Sequence, residues 1–179
     1  MITHLPLVLD RGDRPGAERL LGHVARANPH WRRFDGALPA VAIFRGPHGY
    51  VSPSWYPEHP SVPTWNYAVV HVHGAPRVVG ESETREIVHR LIEQYERSRE
   101  SRWTPELPPE FLDRELRAIV GFEMPIARLE AKFKLSQNRD AADREGALAG
   151  LLREQHARSR ELGEFMREYF SRRHDASAS

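Results

Sequence analysis

The sequence predicts an α+β fold, in which an antiparallel sheet or barrel carries helices on one side. Apolar residues recur at every second position in the segments before residue 80, and this pattern is typical of strands. From Ser82 onward they recur every three or four residues, which indicates amphipathic helices. A late alternating segment at 127–135 predicts one strand that returns to the sheet.

The N-terminal half contains most of the strand signals. Residues 2–10 alternate, and residues 18–25 form the return strand of a hairpin across an RGDRPG turn. Asn28 and Pro29 predict an N-cap followed by proline at the first position of a short helical turn. Further strands are predicted at 39–45, 50–52, 65–73 and 75–79.

The C-terminal half is predicted to be mostly helical. Ser82 is a plausible N-cap for a helix at 83–99, and a proline-containing linker at 101–109 leads to a helix at 109–119. Strands follow at 120–123 and 127–135, then helices at 140–155 and 158–171. The predicted organisation is a barrel domain at 1–139 with a helical insertion at about 82–119, C-terminal helices at 140–173 packed on the barrel, and a disordered tail at 174–179.

Composition excludes several classes of site. The 179 residues include no cysteine, so disulfides, zinc–thiolate sites, iron–sulfur clusters and cysteine nucleophiles are excluded. The net charge of +1 gives no field that favours nucleic acid or membrane. No run of 18 apolar residues is present and the N-terminus does not resemble a signal peptide, so we expect a cytoplasmic protein.

Sequence motifs of nucleotide-binding, hydrolytic and metal sites are missing. There is no Walker A motif, no G-x-G-x-x-G and no G-x-S-x-G. His71 and His73 share one face of a strand, but no carboxylate lies near them in sequence, so no metal site is predicted. The helix at 83–99 mixes arginine with glutamate, a pattern typical of a solvated face and not of a DNA-reading helix.

The segment at 48–67, HGYVSPSWYPEHPSVPTWNY, carries the strongest indication of a binding surface. Its prolines restrict the free loop, so a shaped surface costs little entropy to maintain. Aromatic faces beside hydroxyl and amide groups suit a flat ligand with polar edges. The alternative is a packed loop that covers a barrel end. The residues of interest are Ser52, Ser54, Trp55, Tyr56, Thr64, Trp65 and Asn66.

Two other stretches suit an anion. GHVARANPHW at 22–31 places His23 and Arg26 near a strand end, before the backbone amides that open a turn at Asn28. FKLSQN at 133–138 places a cation at a strand end, followed by short polar donors. These residues are Lys134, Ser136, Gln137 and Asn138. The structural alternatives are a capped strand–helix junction for the first stretch and an ordinary exit turn for the second.

Five stretches together resemble the PaiB family, described as FMN-binding negative transcriptional regulators. They are HLPLVLD at 4–10, GHVARANPHW at 22–31, AIFRGPHGYVSPSWY at 42–56, VPTWNYAVVHVHG at 62–74 and KFKLSQNR at 132–139. The resemblance covers about residues 4–150. It implies an antiparallel FMN-binding split β-barrel with flanking and C-terminal helices, which forms a homodimer and holds FMN at the dimer interface.

The chain departs from that family at its N-terminus. Relatives carry several dozen residues before HLPL, including a helix and the first barrel strand. Three explanations stay open: a misassigned start codon, a trimmed chain, or a barrel that lacks a strand. A missing strand would leave an exposed edge and weaken the flavin site.

The resemblance implies that the candidate residues contact different parts of FMN. We expect Arg26, Lys134, Ser136 and Asn138 at the FMN phosphate, Trp55, Tyr56 and Trp65 along the ring, and Ser52, Thr64 and Asn66 at its polar edge. His23, Asn28, Ser54 and Gln137 complete the set of candidate cofactor contacts.

Three functions follow as alternatives. The first is an FMN-binding transcriptional regulator, which acts indirectly or through weak, salt-sensitive DNA contact, because no DNA-binding motif is visible. The second is a flavin-dependent oxidoreductase of the pyridoxamine-phosphate-oxidase-like split-barrel type that acts on a small substrate. The third is a cofactor-free interaction module.

Overall fold

The computed structural model describes residues 1–101, 103 and 106–177, and confirms the α+β class. The strands are β1 (Val8–Asp10), β2 (Arg19–Ala25), β3 (Ala40–Val51), β4 (Thr64–Gly74), β5 (Arg77–Val78), β6 (Ile119–Pro125) and β7 (Arg128–Lys134). The helices are α1 (Glu81–Glu96), α2 (Pro109–Arg117), α3 (Ala141–Arg153) and α4 (Ala157–Ser177). The strands form two separate sheets, where the sequence had predicted one.

The chain divides into two compact units. Unit 1 comprises Met1–Ala42 and Val72–Leu129, and unit 2 comprises Ile43–His71 and Glu130–Ser179. A sheet in the order β1-β2-β6-β5 lies in unit 1, and a second sheet has the order β3-β4-β7. Each unit contains stretches distant in sequence, a division that the sequence pattern did not predict.

Antiparallel pairing of β2 with β6 forms the centre of unit 1, and it extends from Arg19 opposite Pro125 to Ala25 opposite Ile119. Both faces of this sheet carry apolar side chains. Leu21 packs with Ile87 and Leu91 of α1, whereas the other face buries Val24, Phe34, Val120 and Phe122. Alternation along β2 therefore covers both faces with apolar side chains.

Helices α3 and α4 build the core of unit 2. Its fully or almost fully buried residues are Val51, Tyr56, Leu135, Ala147, Leu151, Leu162 and Met166. Phe133 packs at its margin, with its ring edge-on to Phe165 and Tyr169. The apolar positions of the C-terminal helices are thus explained by packing within this unit.

Several predicted boundaries were wrong for physical reasons. The strand predicted at 2–10 is confined to Val8–Asp10, because Leu5 and Leu7 instead pack on the apolar cluster around Phe34. The predicted strands at 39–45 and 50–52 form one continuous β3 through Gly46 and Pro47. Proline is tolerated there because β3 lies at a sheet edge, where a backbone N–H need not donate a hydrogen bond to a neighbouring strand.

Helix ends also differ from the prediction. α1 begins at Glu81 with Gly80 as N-cap, since the Glu83 carboxylate accepts a hydrogen bond from the Gly80 amide at 3.1 Å. α4 continues to Ser177, beyond the predicted start of the tail at 174. Parts of the predicted 101–109 linker and the end of the tail lie outside the described residues. Within the described part of the chain, every helix is too short or too polar to cross a bilayer.

Candidate functional site

The aromatic loop of unit 2 lies directly against α3. It begins with a short 3₁₀ helix, Pro53–Trp55, whose N-cap Ser52 accepts a hydrogen bond from the Ser54 amide at 3.2 Å. Gly146 and Gly150 admit Trp55, because a Cβ at either glycine would overlap its carbonyl oxygen or its indole ring. Trp55 is therefore half-buried in a groove of α3, and its first role is packing.

Arg139 fastens the same loop at the N-terminus of α3. Its guanidinium lies 4.5 Å from the centroid of the Tyr56 ring, and Nη1 donates to Asp143 Oδ2 at 3.2 Å. Asp143 is almost fully buried, and its other oxygen accepts a hydrogen bond from the Glu58 amide at 3.3 Å. The loop is thus held by a ring–cation contact and a buried carboxylate.

Three carboxylates lie close together near the N-terminus of α3. Carboxylate oxygens of Glu58, Asp140 and Asp143 lie within 4.8 Å of one another. Asp140 caps α3 by accepting from the Asp143 amide at 2.8 Å, and the Arg139 side chain balances the charge of Asp143. These contacts give Asp140 and Asp143 structural roles at the start of α3.

The start of β4 and the end of β7 bring four predicted residues together. Lys134 donates from Nζ to the Thr64 hydroxyl, and Asn66 donates from Nδ2 to the Ser136 hydroxyl at 2.9 Å. Asn66 and Ser136 are buried, while Lys134 and Thr64 are half-buried. Asn66 Oδ1 is buried without a hydrogen-bond partner, so this end of the unit holds an unsatisfied acceptor.

Residues 135–138 form the turn that follows β7. Ser136 adopts φ 63°, the left-handed conformation that few non-glycine residues take. The Gln137 side chain closes the turn, since it accepts from the Leu135 amide at 2.7 Å and donates to the Phe133 carbonyl. Asn138 is exposed. Gln137 therefore shapes the turn, and Asn138 presents its amide to solvent.

Trp65 and Tyr50 form an exposed aromatic pair on neighbouring strands. Their ring centroids lie 6.2 Å apart in an edge-on arrangement, and the residues are 56% and 46% exposed. Such exposure is unusual for two large aromatic side chains in contact. Sequence reasoning included Trp65 but omitted Tyr50, although the place of Tyr50 in the aromatic segment was a usable signal.

The anion site predicted in unit 1 is occupied by internal bonds. The Arg26 guanidinium donates to the carbonyls of Arg117 at 2.7 Å and Ile119 at 2.9 Å. Asn28 is the predicted N-cap, and its Oδ1 accepts from the His30 amide at 3.0 Å. Both residues therefore have structural roles, and their predicted contact with a phosphate stays a prediction.

His23 lies on β2 in unit 1 and is partly buried. Burial lowers the pKa of its imidazole from the ordinary 6.5. Its Nδ1 atom is buried without a hydrogen-bond partner. His23 is thus held in the neutral form near neutral pH.

Unit 2 contains most of the predicted site. Its eleven members are Ser52, Ser54, Trp55, Tyr56, Thr64, Trp65, Asn66, Lys134, Ser136, Gln137 and Asn138. The structure divides them between a group that shapes the loop or the turn after β7 and a group that stays available as candidate ligand contacts. The second group consists of Thr64, Trp65, Lys134 and Asn138, to which Tyr50 is added.

The mixed α+β chain has an exposed aromatic pair and a lysine–hydroxyl contact at the start of β4, two features that suit a protein of the class that binds a flat, anionic cofactor. Residues 1–128 match the family described as "Putative FMN-binding domain". The chain is also 36% identical over 168 residues to "Protease synthase and sporulation protein PAI 2" of Bacillus subtilis strain 168, covering 93% of this chain and 79% of the relative. The chain therefore belongs to the PaiB family of FMN-binding-domain proteins.

Two solved structures share the fold at low sequence identity. The flavocytochrome Anf3 from Azotobacter vinelandii has a TM-score of 0.52 and 15% identity, over 74% of this chain and 57% of that one. The FAD and heme binding protein from Mycobacterium smegmatis has a TM-score of 0.51 and 18% identity, over 79% of this chain and 64% of that one. The present chain thus spans less than two thirds of either structure.

Proposed function

We propose that unit 2 binds FMN, with the ring beside Trp65 and the phosphate beside Lys134. Two features at the start of β4 carry the proposal, the Lys134–Thr64 hydrogen bond and the exposed Tyr50–Trp65 pair. Thr64 and Trp65 are consecutive and point to opposite faces of the strand, so the ligand would extend around the start of β4. A cation with hydroxyl donors suits a phosphate, and an aromatic surface suits an isoalloxazine ring. The match of residues 1–128 to a putative FMN-binding domain supports FMN as the ligand, and this range includes Tyr50 and Trp65 but not Lys134.

The phosphate end of the proposed site is built from the turn after β7. Lys134 supplies the charge, Thr64 supplies a hydroxyl, and Asn138 presents an exposed amide. Ser136 is buried and bonded to Asn66, so it supports the turn in this structure. His23, Arg26 and Asn28 of unit 1 stay predicted contacts.

The ring end of the proposed site is smaller than the sequence predicted. Trp65 and Tyr50 present half-exposed faces, whereas Tyr56 is only 3% exposed and Trp55 is seated in the α3 groove. We assign Trp65 and Tyr50 to the ring, and Trp55 and Tyr56 to support of the loop. Bound FMN would supply the redox chemistry, while these residues bind, orient and shield it.

The assembly proposed for this site is a split barrel that dimerises. A ligand on an exposed sheet face needs a second wall to exclude water, and a second copy of the chain would provide one. Ile43, 56% exposed on β3, adds apolar surface on the same strand as Tyr50. We further propose that the protein is cytoplasmic.

Transcriptional regulation is the first function that we propose for the FMN-bound protein. α1 carries five glutamates and two arginines, a composition unsuited to a DNA-reading helix, so we expect indirect action or weak, salt-sensitive DNA contact. A gel-shift assay at moderate salt tests direct repression, because a sequence-specific repressor would retain its preference for one DNA site.

A flavin-dependent oxidoreductase is the second candidate, favoured by the exposure of the Tyr50–Trp65 pair. A cofactor whose second wall is another copy of the chain would be reachable by a small substrate along the edge of that contact. Loss of the flavin absorbance on addition of NADPH or NADH, followed by its return in air, would identify this activity.

Binding of FMN is the first experiment. The purified protein is mixed with excess FMN, the unbound fraction is removed, and the visible spectrum is recorded. We expect a retained flavin band whose shape differs from that of free FMN. A colourless protein that is folded and dimeric would overturn the proposed cofactor and favour an interaction module.

A further inference from the structure

We infer that Arg139 is a positioning residue, which joins the loop between β3 and β4, the two strands that carry the proposed ring contacts Tyr50 and Trp65, to the turn proposed to bind the phosphate. The inference rests on the proposed FMN site in unit 2. It assigns to Arg139 no direct contact with the cofactor. Its function is to keep two segments, distant in sequence, at a fixed separation.

The side chain of Arg139 contacts the loop at two points. Its guanidinium lies 4.5 Å from the centroid of the buried Tyr56 ring, and Nη1 lies 3.4 Å from the Ser61 hydroxyl. Ser61 in turn donates to the Glu58 carbonyl at 2.7 Å. One arginine therefore reaches both ends of the segment 56–61.

The backbone of Arg139 belongs to the turn. Its amide donates to the Ser136 carbonyl at 3.0 Å, and Ser136 is the residue with the left-handed backbone. Lys134, the proposed phosphate ligand, immediately precedes this turn on β7. Movement of the Arg139 backbone would therefore displace the turn, while movement of its side chain would release the loop.

Asp143 holds the guanidinium in place. Its carboxylate is buried, and it accepts from Arg139 Nη1 at 3.2 Å and from the Glu58 amide at 3.3 Å. An exposed arginine samples many rotamers, but one fixed between a carboxylate and an aromatic ring is ordered before ligand binding. The loop and the turn are thus preorganised together.

A ligand that contacts both the turn and the aromatic pair on the strands flanking the loop benefits from this connection. FMN has a ring and a phosphate, so the second contact is intramolecular once the first is made. Riboflavin has the ring without the phosphate and cannot exploit the fixed separation. The change in the preference for FMN over riboflavin when Arg139 is replaced therefore reports the connection, and a general loss of folding does not mimic it.

The test compares FMN and riboflavin dissociation constants for the full chain and three variants. Arg139→Ala removes the connection, and Arg139→Lys keeps a charge near Asp143 but loses the planar group over Tyr56. Arg144→Ala is the matched control, because Arg144 lies over the Phe170 ring at 5.3 Å and not over the loop. Thermal unfolding of each apoprotein is recorded in parallel.

We expect FMN affinity to fall about tenfold in Arg139→Ala and less in Arg139→Lys, consistent with freeing one or two ordered side chains. Riboflavin affinity should fall less than FMN affinity, and Arg144→Ala should keep the wild-type preference. Lys134→Ala should also cost less in the Arg139→Ala background than in the wild type, since their effects are coupled.

Two results would overturn the inference while leaving the FMN site intact. Both leave the preference for FMN over riboflavin at its wild-type value in the two Arg139 variants: one with both affinities unchanged, the other with both affinities lowered by the same factor. Wild-type protein that binds neither flavin would remove the proposed function, and this inference with it. The wild-type measurement therefore separates the two failures. If Arg139→Ala does not fold, the Arg139→Lys values decide the question alone.

Discussion

Asn66 donates a hydrogen bond from Nδ2 to the Ser136 hydroxyl at 2.9 Å, and both residues are buried. The bond joins β4 to the turn after β7 within unit 2. Ser136 adopts a left-handed backbone with φ 63°, which carries a steric cost in a residue that has a Cβ. The bond therefore stabilises a turn conformation that the local sequence does not favour.

Replacing Asn66 by alanine should destabilise the protein. The change leaves the buried Ser136 hydroxyl without its amide partner and opens a small void, so we expect a loss of about 1–3 kcal/mol. Urea unfolding measures it. Asn138→Ala is the control, because Asn138 is exposed in the same turn and should cost no more than about 0.5 kcal/mol. Equal losses would contradict the role given to Asn66.

Gly150→Ala should also destabilise the protein, although alanine is the better helix former. In an ordinary helix interior the substitution gains about 1 kcal/mol. Here the new methyl group would overlap the Trp55 indole, so we expect a net loss of about 1–3 kcal/mol and a change in tryptophan fluorescence. Glu145→Ala, at an exposed position of α3, reports the effect of propensity alone. A stabilised Gly150→Ala variant would show that Trp55 is not packed as described.

Asp10 should make the stability of unit 1 pH-dependent. Burial raises the pKa of Asp10, but hydrogen bonds from Arg19 and the Gly12 amide, with the charge of Arg90, outweigh burial and hold the pKa below 3.8. A lowered carboxyl pKa contributes stability above the unfolded value, and the contribution is lost as pH falls through the folded value.

Asp10→Asn tests this contribution by unfolding at a series of pH values. We expect the variant to be less stable by about 1 kcal/mol or less at neutral pH, because Arg19 is partly exposed. The difference should vanish in strong acid. Asp13→Asn, at an exposed position, should show no such convergence. If the difference in stability between wild type and Asp10→Asn were the same at every pH, packing rather than charge would be its cause.

Protonation of His23 should lower the stability of the folded protein in mild acid. Burial lowers the pKa of His23, so the unfolded chain takes up this proton at a higher pH than the folded one. Its contribution is complete above 6.5 and is lost as pH falls through the folded value. Wild-type protein should therefore lose more stability than His23→Leu between neutral and mildly acidic pH. His4→Leu is the exposed control, and matching profiles for all three proteins would reject the assignment.

Local signals in the sequence predicted the class of fold and most elements. The Asn28–Pro29 cap is present as predicted, because both residues act on adjacent backbone groups. Apolar periodicity located α1, α3 and α4 to within a few residues, apart from the longer C-terminal end of α4. The sequence predicted two strands in place of β3 because Gly46 and Pro47 resemble a turn. Only the order of strands in the sheet shows that β3 is an edge strand, where proline is tolerated.

The candidate site was harder to predict, since composition does not reveal which face a side chain occupies. Tyr56 and Trp65 both satisfied the expectation of a flat aromatic wall, yet one is buried and the other exposed. The position of Trp55 depends on Gly146 and Gly150, which lie in α3, far from Trp55 in sequence. Arg139 had no local signal of its role, because its partners Tyr56 and Ser61 are far from it in sequence.

Trp65→Ala should weaken flavin retention. The indole supplies much of the exposed aromatic surface of the Tyr50–Trp65 pair, and aromatic stacking with a flat ring contributes about 1–3 kcal/mol, as measured for nucleic-acid bases. We therefore expect FMN affinity to fall by roughly 5- to 150-fold, measured by quenching of flavin fluorescence. Trp31→Ala in unit 1 is the control, because that indole donates to the Arg26 carbonyl and is not part of the proposed site. Unchanged affinity in Trp65→Ala would remove this residue from the ring contact, whereas a loss shared by both variants would indicate a general defect.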